Sequence, residues 1–134
     1  MGYLIDTNIV IHYFNGLTAD EALHDLLKDS FKISIITKIE FLGWSEFGAN
    51  PAQYRQAQAF IRHAGLYGLT EEIAEQTIQL RQRFRTKTPD AIIAATAMVN
   101  GLAVVTQNTD DFSRLGVKTR SVTMNPWPAS PTST

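Results

Sequence analysis

Short hydrophobic runs alternate with amphipathic stretches along this chain, the pattern of strands that feed helices. Tyr3-Leu4-Ile5 is an apolar run that stops at Asp6. Thr7-Asn8 then form a polar turn, and Ile9-Val10-Ile11 begin a helical stretch toward Phe14 that Asn15-Gly16 closes. Thr18-Ala19-Asp20-Glu21 is a capping-box pattern, continued as an amphipathic helix by Ala22, Leu23, Leu26 and Leu27. Phe31-Lys32-Ile33-Ser34-Ile35-Ile36 reads as a second strand. Directly after it, Thr37-Lys38-Ile39-Glu40 opens a helix through Phe41, Leu42 and Trp44. Gly48-Ala49-Asn50-Pro51 breaks that helix, and Pro51 suits the first turn of the next, which carries Tyr54, Ala57, Phe60 and Ile61 up to Gly65. Leu66-Tyr67-Gly68-Leu69 is a short extended segment. Thr70 caps a further helix with Ile73, Ala74, Thr77, Ile78, Leu80 and Phe84 on its apolar face.

The pattern is densest at residues 87–97, where Lys87-Thr88-Pro89-Asp90 leads into Ala91-Ile92-Ile93-Ala94-Ala95-Thr96-Ala97. Thr88 is a natural N-cap, Pro89 suits the first helical position, and Asp90 falls in the first turn. A helix apolar nearly all round belongs in the interior, so Asp90 stands where an interior helix begins. Asn100-Gly101 stops it. Ala103-Val104-Val105-Thr106 is a strand that empties into Gln107-Asn108-Thr109-Asp110-Asp111-Phe112, and Gly116-Val117 starts a last strand through Val122. Such alternation predicts an α/β fold: a central parallel sheet covered by helices on both faces, with right-handed crossovers. Residues 1–123 form one expected domain. The Pro-, Ser- and Thr-rich stretch 124–134 is an expected, partly disordered tail.

Composition narrows the class. With 134 residues, 44% of them hydrophobic and 19% charged, the chain can bury a real core. No apolar run approaches the roughly 20 residues of a bilayer span, and the start lacks a basic, long-apolar leader, so a cytoplasmic protein is expected. The absence of cysteine excludes disulfides, thiolate nucleophiles and cysteine metal sites. A formal net charge of −1 argues against a generally sticky nucleic-acid binder and leaves room for a locally polarised one.

Four acidic junctions supply the chemistry. Asp6 follows the first strand, Glu40 opens the helix after the second, Asp90 opens the interior helix, and Asp110-Asp111 follow the strand at 103–106. In open α/β sheets the ligand crevice lies outside the carboxyl ends of the strands. Carboxylates gathered there repel one another, and a divalent cation relieves the repulsion. All-oxygen donors select a hard ion, Mg²⁺ or Mn²⁺, over zinc. Taken singly, each acid has an ordinary reading: Asp90 complements a helix dipole, Thr37-x-x-Glu40 fits a capping box, and one of Asp110 and Asp111 is a loop acid. The set is the signal. Other chemistries lack their parts: Gly43-Trp44-Ser45-Glu46-Phe47 misses the final glycine of a serine-hydrolase turn, and His12, His24 and His63 have no paired spacing.

Tyr3-Leu4-Ile5-Asp6-Thr7-Asn8, Thr37-Lys38-Ile39-Glu40-Phe41, Thr88 through Ala95, and Val105 through Phe112 resemble, in order and separation, the motifs of the PIN-domain family. Within that family they resemble the small VapC-like toxins of type II toxin–antitoxin pairs. The resemblance implies a three-layer α/β/α fold and an Mg²⁺- or Mn²⁺-dependent endoribonuclease, with Asp6, Glu40 and Asp90 on metal-site positions. The family's fourth acid precedes an aromatic residue, which selects Asp111 with Asp110 as its substitute. Thr7, Asn8, Thr106 and Asn108 match supporting polar positions. RNA as substrate, an antitoxin partner reaching over the active site, and a homodimer are also implied. Arg81, Arg83, Arg85 and Lys87, together with Lys38 beside Glu40, are candidate RNA phosphate contacts, a solvated helix face being the alternative. Phe41, Leu42, Trp44, Tyr54 and Phe60 are candidate partner surfaces, with core packing as their default. The rival functions are a catalytically silent interaction module and a phosphoacceptor on Asp6, the latter weakened by Asn rather than Asp at position 8.

Overall fold

The computed structural model describes residues 2–16 and 20–122. The expected tail at 124–134, and Thr18-Ala19 of the capping box, lie outside the described residues. Five strands and seven α-helices are described: β1 (Gly2–Ile5), α1 (Thr7–Phe14), α2 (Glu21–Asp29), β2 (Lys32–Ser34), α3 (Ile35–Leu42), α4 (Pro51–Ile61), β3 (Gly65–Tyr67), α5 (Glu71–Arg83), α6 (Thr88–Val99), β4 (Leu102–Val105), α7 (Thr109–Ser113) and β5 (Thr119–Arg120). A 3₁₀ turn spans Ser45–Ala49.

The strands form parallel ladders, β1-β4-β5 and β2-β3, with β1 packed beside β2. Side chains alternate across a strand, so neighbouring residues serve opposite layers. Leu4 and Val104 enter the core packed by α5 and α6, whereas Ile5 and Val105 enter the one packed by α1 to α4. This makes the three layers of an α/β/α domain. Helix α6 is buried from Ala91 to Ala97, as its all-round apolar pattern requires, and packs on α5 and β4. It ends at Val99 with Asn100 as its C-cap, and the chain turns away at Gly101, whose φ of 66° is a left-handed conformation that glycine adopts without strain. Among the described residues no helix is long and apolar enough to cross a membrane.

Several boundaries differ from the sequence expectation. Strand β2 stops at Ser34, whose hydroxyl accepts from the Ile36 N–H at 3.0 Å and caps α3, so Ile35 and Ile36 are helical. The capping box expected at Thr37-x-x-Glu40 therefore does not form; both residues lie inside the helix. Helix α3 ends at Leu42, short of Trp44. Lys87, not Thr88, is the N-cap of α6, which puts Pro89 at its second position. Asp20 caps α2 by accepting from the Leu23 N–H at 3.1 Å, and the last strand contracts to Thr119–Arg120. Most of the candidate partner residues serve the core. Phe41 is buried, and Phe60 packs with Tyr13, Phe14, Phe31 and Phe41. Trp44 remains 46% exposed.

Candidate active site

Parallel pairing ends β1 and β4 on one edge, and the contact of the Thr7 and Thr37 hydroxyls brings the helix that follows β2 to the same place. Asp6 is the residue at which β1 becomes α1. Its N–H donates to the Val105 carbonyl at 3.0 Å, which fixes its backbone against the end of β4. The residue is 5% exposed. One carboxylate oxygen, Oδ1, accepts from the Thr7 N–H at 2.8 Å, and Oδ2 accepts from the Thr106 hydroxyl at 2.8 Å. Thr106 Oγ1 in turn accepts from the Asn108 N–H at 2.9 Å. The turn after β4 thus orients the acid after β1.

A second chain of hydroxyls holds Glu40. Thr7 Oγ1 donates to Glu40 Oε1 at 2.7 Å and lies 3.0 Å from Thr37 Oγ1. With its single proton committed to Glu40, Thr7 accepts from Thr37. Thr37 is fully buried, and sequence reading gave it a capping role only. Its signal was its spacing: Thr37 and Glu40 are three residues apart, on one face of a helix.

Asp90 sits half-buried in the first turn of α6. It lines a cleft of about 630 Å³ with Asn8, Glu40, Arg85, Thr86, Lys87, Pro89, Asn108, Asp111, Phe112 and Arg114. Asp111 stands in this lining and Asp110 does not. Of the expected phosphate contacts, Arg85 and Lys87 reach the cleft. Lys38 does not line it. Arg81 lines a separate groove with Leu69 and Ile78, and Arg83 lies over the Phe84 ring at 5.6 Å. Arg114 was missed by sequence reading, although it follows Asp111 by three residues, a helical-face spacing.

Burial dominates the electrostatics of Asp6 and Asp90. Burial pushes the Asp6 carboxyl above its ordinary value, the Thr106 and Thr7 hydrogen bonds oppose it, and Asp90 and Glu40 add upward repulsion. Asp90 is also raised, first by burial; Asp111 adds repulsion, while Lys87 and Arg114 oppose it. Among the described residues no three Asp, Glu or His side chains converge into a ready-made ligand cluster. The donor chemistry, carboxylates with no sulfur or imidazole among them, fits a hard cation that keeps part of its water shell.

Acid raised by burial has a thermodynamic consequence. The folded chain binds the Asp6 proton more tightly than the unfolded chain does. The associated stability is present below the ordinary aspartate value of 3.8 and is lost as pH rises through the raised value. Asp6→Asn is therefore expected to melt above the parent chain at neutral pH in metal-free buffer, with the gap closing as pH falls toward 3.8. Added Mn²⁺ should raise the melting temperature of the parent and leave that of the variant unmoved. A variant that melts lower at every pH would show that the Thr106 bond outweighs the buried charge.

A PIN-domain family model matches residues 3–118, and the chain belongs to the PIN-domain family. Among solved structures it is similar to a chain of a toxin–antitoxin complex from Klebsiella pneumoniae, with 30% identity and a TM-score of 0.68 over 84% of this chain and 91% of that one. DNA-bound VapBC from Salmonella typhimurium aligns with 24% identity and a TM-score of 0.79, over 90% and 98% of the two chains. FitAcB from Neisseria gonorrhoeae aligns with 21% identity and a TM-score of 0.72, over 87% and 95%. The likeness to VapBC and FitAcB is one of fold. A search of curated proteins returns no match.

Proposed function

We propose that this chain is an Mg²⁺- or Mn²⁺-dependent endoribonuclease and the toxin of a toxin–antitoxin pair. The observation that carries the reading is one cleft lined by Glu40, Asp90 and Asp111, to which the buried Asp6 is joined through Thr7, whose N–H donates to Asp6 and whose hydroxyl donates to Glu40. Asp6, Asp90 and Asp111 would hold the ion, with Glu40 a ligand directly or through water. Bound there, the ion would supply Lewis-acid polarisation of a phosphate oxygen and a more acidic water. Glu40, fixed by the Thr7 hydroxyl, is the carboxylate available to orient that water and take its proton. Arg85 and Lys87, on the rim beside Asp90, meet the flanking phosphates of an unpaired RNA strand.

The toxin role rests on the likeness to the Klebsiella toxin–antitoxin complex. Ile39, 60% exposed and adjacent to Glu40, and Trp44 offer apolar surface for an antitoxin segment. A homodimer acting in the cytoplasm completes the reading. Its test is cleavage of single-stranded RNA by the purified chain. Cleavage should appear with Mn²⁺ or Mg²⁺ and vanish with EDTA. Cleavage that persists in EDTA overturns the metal site. A folded chain that binds Mn²⁺ and cleaves no RNA from its host would be a silent interaction module.

A further inference from the structure

Two segments carry acids to the cleft from the α6 side of the sheet. The loop from Phe84 to Lys87 delivers Asp90 on the first turn of α6, and the short helix α7 delivers Asp111. Neither helix start has a side-chain cap, at Lys87 for α6 or at Asn108 for α7, although the Asn108 N–H is held by the Thr106 hydroxyl. Arg85 and Lys87 are exposed, and the Thr86 hydroxyl bonds only locally, to the Lys87 carbonyl at 3.4 Å. One long-range bond joins the two segments. Arg114, the C-cap of α7, donates from Nη2 to the Arg85 backbone carbonyl at 2.6 Å, across 29 residues of sequence. Its side chain lines the same cleft as Asp90 and Asp111.

We propose that Arg114 is a positioning residue whose guanidinium clamps the α5–α6 loop to α7 and so sets the separation of Asp90 and Asp111. A planar guanidinium can hold the carbonyl with one N–H while its other N–H groups stay turned to the cleft, which a lysine ammonium on a flexible stem cannot reproduce. The proposal rests on the metal-site reading of these acids, and its main measurement needs no RNA.

The experiment is Mn²⁺ binding to the purified chain, by calorimetry or by the loss of the free-ion resonance signal, for the parent, Arg114→Ala and Arg114→Lys. A lost supporting hydrogen bond to a metal site costs about 10- to 100-fold. Both variants should bind Mn²⁺ at least about tenfold more weakly, with melting temperatures kept because Arg114 is exposed. Where RNA is cleaved, kcat should fall by a similar factor with KM little changed, and free guanidinium should restore part of the Arg114→Ala loss. Arg114→Lys retaining full Mn²⁺ affinity would reduce the residue to a charge and overturn the clamp. So would unchanged Mn²⁺ affinity with a raised KM, which is the signature of an RNA phosphate contact alone. A parent chain that binds Mn²⁺ and cleaves no RNA would sink the nuclease reading while leaving the clamp decided by the affinities. A parent that binds no Mn²⁺ would overturn both.

Discussion

Asp6→Asn and Asp90→Asn are each expected to lower RNA cleavage by about 100-fold or more, the scale of removing a principal transition-state charge partner from an active site. Asparagine keeps the shape at position 6. Its Oδ1 still accepts from the Thr7 N–H, and its Nδ2 can donate to Thr106 once that hydroxyl turns. What is lost is the charge that a cation would answer. Asp90 is the cleaner probe, because only burial and neighbouring charges, and no hydrogen bond, act on its carboxyl. Asp111→Asn should be impaired and Asp110→Asn close to the parent, since only Asp111 lines the cleft. The measurement is cleavage of one defined RNA by folded variants at saturating Mn²⁺. Cleavage that survives both Asp6→Asn and Asp90→Asn would place the chemistry elsewhere. Loss in Asp110→Asn equal to that in Asp111→Asn would remove the cleft assignment of the fourth acid.

How much of this was legible in the sequence differs from element to element, for physical reasons. Strand β1 and helix α6 could be read because burial dictates their residues: three apolar positions stopped by an acid, and an all-apolar helix opened by one. The end of β2 could not. Ile33-Ser34-Ile35-Ile36 is the same apolar run whether the chain continues extended or turns into a helix. The outcome is decided by the Ser34 hydroxyl accepting from Ile36, a bond that periodicity does not encode. Mistaking that boundary hid Thr37, whose buried hydroxyl faces Thr7, a partner 30 residues away. Arg81, Arg83 and Arg85 look like one basic row on paper. At every-second spacing on a helix and its exit they diverge, to a groove, an aromatic ring and the cleft. The acids could be read because a parallel sheet sends strand ends to one edge, and Thr7 and Thr106 came with them through the family resemblance, whereas the roles of Thr37 and Arg114 are tertiary facts.

Leu4→Ala is expected to destabilise the chain by about 2–5 kcal/mol, a large part of the roughly 5–15 kcal/mol that holds a domain together. Leu4 is fully buried among Ile73, Ile93 and Val104, where β1, α5, α6 and β4 meet. The surrounding residues sit on four elements pinned by ladder and helix hydrogen bonds, so the walls cannot collapse into the space the side chain vacates. Exposed Leu66, on β3, provides the contrast: Leu66→Ala should change stability by about 0.5 kcal/mol or less. Denaturant unfolding followed by circular dichroism measures both. The prediction also separates stability from function at adjacent residues. Asp6 is held by the Val105 carbonyl, the Thr7 N–H and the Thr106 hydroxyl, none of which involves the Leu4 side chain. Activity per folded molecule of Leu4→Ala should therefore stay within a few-fold of the parent well below its melting temperature, in contrast to the near-total loss at Asp6. A loss under about 1 kcal/mol would mean that this layer repacks freely. Activity falling further than the folded fraction would mean that the aim of Asp6 depends on the core beneath β1 as well as on its three hydrogen bonds.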